Sequence, residues 1–92
     1  MKRKHRRTLE RLAQAEGSVE IRRVEALIRA LGGEIEDRGN GLYRAELNEV
    51  WLVYDRPHPS PEIGRGFAKR VRTFLQNAGV LPVDPTADQV DR

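Results

Sequence analysis

Apolar residues recur along this chain at two different periods, and the switches between them divide it into elements. Leu9, Leu12 and Ala13 fall at helical spacing within residues 8–14 before Gly17 interrupts, which predicts a short first helix. Residues 18–21 read as a connection. Val24, Leu27, Ile28 and Leu31 then repeat at i, i+3, i+4 and i+7, with Arg22, Arg23, Glu25 and Arg29 on the opposite face. Gly32-Gly33 supplies the left-handed stop for this second helix.

The period then shortens. Leu42-Tyr43-Arg44-Ala45-Glu46-Leu47 alternates, and Val50-Trp51-Leu52-Val53-Tyr54 is a β-branched and aromatic run, so both predict strands. Asn48-Glu49 forms the turn between them. Arg38-Gly39-Asn40-Gly41 offers the positive φ angles of a hairpin turn that joins Glu34-Ile35-Glu36 to Leu42. Arg56-Pro57-His58-Pro59-Ser60-Pro61 holds three of the five prolines and predicts a stiff, extended connection that ends the third strand. Beyond it Phe67, Val71, Phe74, Leu75 and Ala78 share one face of a last helix closed by Gly79, with Arg65, Lys69, Arg70 and Arg72 turned mostly away.

These elements predict an α+β domain: an α-β-β-β-α core whose two helices pack on one face of a three-stranded antiparallel sheet, preceded by a short helix. The expected boundaries are a basic leader and first helix at 1–17, the core domain at 18–81 and a loose polar tail at 82–92. The expected core holds Val24, Leu27, Ile28, Leu31, Phe67, Val71, Phe74 and Leu75. Trp51 and Val53 share one side of their strand, and Leu52 and Tyr54 the other; Trp51 is expected in the core.

Ninety-two residues make one small domain with a modest core, which argues against a large enclosed active site. With no cysteine, disulfides, thiolate metal sites and cysteine nucleophiles drop out, and a reducing, cytoplasmic setting is expected. No apolar run approaches the roughly 20 residues that span a bilayer, nor does one follow the basic start, so no membrane association is expected.

The formal net charge of +3 is unevenly spread. Lys2, Arg3, Lys4, Arg6 and Arg7 are five of the 17 basic residues; the remaining 12 face 14 acids, which leaves a body of −2. Affinity for phosphate therefore has to come from local patches. The leader is one such patch, suited to RNA or an acidic partner; His5 would add to it when protonated. Arg65, Lys69, Arg70 and Arg72 form a second, which reads equally as an RNA contact or as a solvated face paired with carboxylates such as Glu62. Arg38 and Arg44 flank the glycine turn and would suit contact with an RNA backbone, although Arg44 also fits an exposed strand position opposite a carboxylate.

Several segments together resemble the HicA toxins, the small partners of type II toxin-antitoxin pairs, whose fold is similar to a double-stranded-RNA-binding domain. They are Val24-Glu25-Ala26-Leu27-Ile28-Arg29-Ala30-Leu31-Gly32, the turn Arg38-Gly39-Asn40-Gly41 and the closing Phe74-Leu75-Gln76-Asn77-Ala78-Gly79-Val80. Lys4-His5-Arg6-Arg7-Thr8-Leu9 and Arg56-Pro57-His58-Pro59 resemble a HicA-like subgroup with an extra amino-terminal helix and a proline-flanked histidine. The resemblance runs from Lys4 to Val80 and implies binding and metal-free cleavage of mRNA, with silencing by a HicB-type antitoxin.

The family's motif entering the second strand is glycine, serine and histidine, whereas this chain has Gly39, Asn40 and Gly41. A base must take the 2′-hydroxyl proton in metal-free RNA cleavage, and glycine offers none. His58 is the alternative candidate for general acid or base, with Arg56, Lys69 or Arg70 stabilising the phosphorane; its bland reading is a surface histidine in a proline turn. The two histidines lie far apart in sequence and no nucleotide fingerprint appears, so neither a metal nor another cofactor is expected. The competing reading is a non-enzymatic interaction module that pairs through its open sheet face or an edge strand.

Overall fold

A computed structural model describes residues 1–57 and 60–82. Its elements are α1 (Arg3–Ala13), α2 (Ile21–Ala30), β1 (Glu34–Gly39), β2 (Leu42–Leu47), β3 (Val50–Asp55) and α3 (Gly64–Asn77). The strands form one antiparallel sheet in the order β1-β2-β3. Helices α2 and α3 cover one face of it, while α1 packs on those two helices, away from the sheet. The α+β arrangement with an α-β-β-β-α core and an extra first helix is thus the observed fold. No helix among the described residues is long and apolar enough to cross a membrane.

Strand alternation aims Ala45 and Leu47 of β2, and Leu52 and Tyr54 of β3, at the helices. They meet Val24, Leu27 and Ile28 of α2 and Ala68, Val71, Phe74 and Leu75 of α3 in one cluster, which Leu12, Val19 and Ile63 extend toward α1. Leu31 and Phe67, expected within the core, sit half-buried at its margin. Trp51 lies elsewhere than expected. Its register position opposite Glu46 puts it on the outer face, half exposed, because Leu52 and Tyr54 take the inner positions opposite Ala45 and Tyr43.

Each helix ends in the same hydrogen-bonded motif. After α2 the Gly33 N–H donates to the Ile28 carbonyl at 2.9 Å and the Gly32 N–H to Arg29 at 3.0 Å, with Gly32 at φ 95°. Gly79 plays the same part after α3, where Val80 N–H reaches the Leu75 carbonyl at 2.9 Å. The α1 stop comes at Ala15 (φ 54°), ahead of Gly17, with Glu16 N–H bonded to Arg11 at 3.1 Å.

The first helix is longer than residues 8–14, since its first turns run through the basic leader from Arg3. Thr8 is buried against α2 and returns its hydroxyl to the Lys4 carbonyl at 3.0 Å. The leader is therefore ordered helix, and it packs on α2 and α3. The expected tail lies outside the described residues from position 83 onward.

Candidate nucleic-acid interface

The cations of the leader gain a fixed geometry because they belong to a helix packed beside another. Lys4, His5 and Thr8 of α1 line a cleft with Arg22, Arg23 and Ala26 of α2. An adjoining hollow is walled by Lys4, Arg7, Thr8, Arg11 and Arg23. A third, at the end of the seam, is lined by Met1, Lys2, His5 and Ala30. The two helices thus run antiparallel, which sets the leader's positive charge beside the negative end of the α2 dipole.

Ion pairing leaves most of this charge available. Arg11 is held by Glu16 at 2.9 Å and Arg22 by Glu20 at 2.8 Å. Lys2, Arg3, Lys4, Arg6, Arg7 and Arg23 have no carboxylate within 4.0 Å among the described residues. The central cleft has a volume of about 250 Å³. The hollow at the end of the seam is larger, about 540 Å³, so the seam is a run of open depressions bordered by cations and not one enclosed pocket.

The other expected contacts separate from this seam. Arg38 and Arg44 both reach Glu36, at 2.9 and 3.2 Å, on the outer face of the sheet. Those two guanidinium groups, the Arg38 hydrogen bond first, hold the Glu36 carboxyl below its ordinary range. The Arg44 guanidinium also lies 4.2 Å from the centre of the Trp51 ring. On α3, Arg65 is exposed in the first turn and Arg72 is half-buried. Lys69 and Arg70 line a groove between α3 and β3, where Arg70 Nη2 donates to the Val53 carbonyl at 2.6 Å.

Arg56 is committed to an internal partner. Glu25, expected on the solvent side of α2, is buried. Its carboxylate accepts the Tyr54 hydroxyl at 2.6 Å and the Arg56 Nε and Nη2 at 3.0 and 2.8 Å. The Arg56 guanidinium also stacks 4.1 Å from the Tyr43 ring centre. The Glu25 hydrogen bond drives the Arg56 pKa upward. Burial first, and that carboxylate second, push the Tyr54 phenol well above its usual value.

This clamp fixes the start of the proline connection. Its far end is fastened by Ile21 N–H to the Pro61 carbonyl (2.8 Å) and Ile63 N–H to Val19 (2.9 Å). Both ends therefore attach to the N-terminal half of α2 or its approach. His58 itself lies outside the described residues. The glycine turn is described: Gly39, Asn40 and Gly41 have φ of 88°, 57° and 81°. At Gly41 a histidine would meet backbone strain as well as supply a base. Among the described residues no group of three His, Cys, Asp or Glu side chains gathers to hold a metal ion.

Reasoning from the sequence missed Arg11, Arg22 and Arg23 as members of the basic seam. Their only signal was adjacency to helix ends, and the packing of α1 on α2 is what makes them converge. The fold and site define a class, an α-β-β-β-α domain with an added basic helix and a polycationic seam. No family model, curated relative or solved structure matches the chain.

Proposed function

We propose that this chain is a HicA-like toxin component of a type II toxin-antitoxin pair, a cytoplasmic protein that binds mRNA through the seam between α1 and α2. The carrying observation is the convergence of Lys4, Arg7 and Arg23, none of them ion-paired among the described residues, on adjoining hollows of the seam between α1 and α2. Such a site favours backbone phosphates over base edges, and shape-directed RNA binding depends on contacts of this kind. The resemblance supplies the pairing with a HicB-type antitoxin. Gly41 supplies no base where the family carries its histidine, so His58 is the residue to test for cleavage.

Fluorescence anisotropy with a labelled RNA over a range of salt concentrations tests the binding. Lys4→Glu with Arg23→Glu should weaken binding for every RNA sequence and lower the salt slope by about one for each phosphate that is no longer neutralised. Unchanged affinity and slope would remove the seam from the interface. Expression with and without the adjacent open reading frame tests the pairing. Growth arrest with transcript loss, relieved by the neighbour and abolished by His58→Ala, would extend the function to cleavage.

A further inference from the structure

The outer face of the sheet has no covering layer among the described residues, and its composition is unlike the rest of the surface. Leu42, Trp51 and Val53 are 38, 51 and 46% exposed, and apart from Met1 they are the exposed large hydrophobic residues among the described residues. All three lie on this one face. Trp51 and Val53 are two apart on β3, and Leu42 of β2 sits diagonally beside Val53.

Carboxylates frame them. Glu34 and Glu36 of β1, Glu46 of β2 and Asp55 of β3 occupy outer-face register positions. Arg38 and Arg44 are the cations present, and both are drawn to Glu36. Glu34, Glu46 and Asp55 are left without a cation within 4.0 Å among the described residues. Lys69 and Arg70 border the β3 edge of the face, in a groove that Trp51 also lines, where Arg70 donates to the Val53 carbonyl at 2.6 Å; the unpaired carboxylates therefore dominate the β1 and β2 side and the Asp55 end.

We propose that this face binds a protein partner, specifically an amphipathic helix with an apolar stripe and a Lys/Arg border. Charge complementarity selects that occupant. RNA would bring phosphates against unpaired carboxylates. A second copy packed face to face would bring three more unpaired carboxylates to the contact, with its own Arg38 and Arg44 already drawn to Glu36. The dimensions agree, because six-residue strands extend about 20 Å and the outer strands lie about 10 Å apart. Those are the length of about 13 helical residues and the width of one helix. Apolar burial supplies the contact energy, and the carboxylate border sets which helices are accepted. The proposal goes beyond RNA binding, since it uses the opposite side of the molecule.

Trp51 is the sole tryptophan and reports on the face directly. The probe is a synthetic amphipathic Leu/Lys peptide of about 14 residues, titrated into the full chain while tryptophan emission is followed. A saturable blue shift is expected. Val53→Lys, and separately Glu34→Lys with Glu46→Lys, should each weaken binding by at least about tenfold in proteins whose circular dichroism matches the parent. Lys4→Glu with Arg23→Glu should leave it unchanged, which separates this proposal from RNA binding.

Equal binding of a Leu/Glu peptide would overturn the charge argument, and equal binding of a permuted Leu/Lys peptide without an apolar stripe would overturn the helix. Undiminished binding by both face variants would overturn the location. An emission shift that grows with protein concentration alone and disappears in Val53→Lys would make the occupant a second copy. A shift produced by RNA would make it nucleic acid.

Discussion

Replacing Arg56 by Met keeps most of the side-chain volume over the Tyr43 ring and removes the charge that balances Glu25. In the parent, Glu25 accepts three hydrogen bonds, two of them from the Arg56 guanidinium, and its side chain is only 4% exposed. Breaking a buried ion pair from one side costs about 3–5 kcal/mol, because the orphaned charge stays desolvated. Arg56 is itself 43% exposed, so water can partly take its place and the cost belongs at or below the low end, about 2.5 kcal/mol. A domain of this length has a total stability of about 5–14 kcal/mol. At about 4–8 °C per kcal/mol, the melting temperature should fall by about 10–20 °C. Urea denaturation gives the free energy, and a double-mutant cycle with Glu25→Gln tests the coupling, since removing both charges should cost less than the sum of the two single effects. A change under about 0.5 kcal/mol for Arg56→Met, in the range of ordinary surface changes, would refute the clamp.

The fold supports further tests. Tyr54 is held neutral in the folded state, with its pKa above the unfolded value near 10, so its contribution is complete below about pH 10 and is lost as pH rises beyond it. In a Tyr43→Phe background, where Tyr54 is the remaining tyrosine, absorbance at 295 nm should show no tyrosinate at pH 11 while circular dichroism still reports folded protein; a normal titration midpoint would contradict this. Gly33→Ala should destabilise by about 1–3 kcal/mol in urea, since the new Cβ would lie 2.5 Å from the Glu46 carbonyl oxygen and 2.7 Å from Ile28 Cγ2. Glu49→Gly should stabilise by about 0.5–1 kcal/mol, because Asn48 and Glu49 both have positive φ (52° and 67°) and Asn-Gly suits that hairpin turn. A lower urea midpoint in this variant would count against strain at Glu49.

Local period made α2 and α3 legible, as their apolar faces and terminal glycines agree with one another. The start of α1 was hidden because residues 2–7 contain no apolar side chain to carry a period; the Thr8 contact and packing on α2 order it instead. Trp51 was ambiguous since Val50 to Tyr54 is apolar on both sides, and the decision comes from β2, where Ala45 and Leu47 define the inner face. Glu25 escaped for a different reason. A carboxylate on a helix reads as solvent-facing, and the partners that reverse this, Tyr54 and Arg56, are 29 and 31 residues away. The candidate site was legible in part: the leader's cations carry a visible charge run, whereas Arg22 and Arg23 acquire meaning only beside Lys4.

Charge is divided between the two sides of the molecule, and the division bears on how a partner would act. The unpaired cations of the seam lie on α1 and α2, whereas Glu34, Glu46 and Asp55 lie on the far side of the sheet that α2 covers. With a Debye length of about 8 Å at physiological salt, exposed charges on opposite sides of such a domain are largely screened from one another. A helix seated on the outer face should therefore leave the seam open and change RNA affinity by less than about twofold, well under the coupling of about 1–3 kcal/mol that marks allostery. Anisotropy of labelled RNA, measured with and without saturating Leu/Lys peptide at physiological salt, decides the matter. Competition that disappears in Val53→Lys would show that the two surfaces are coupled and that the sheet carries a signal to the helices.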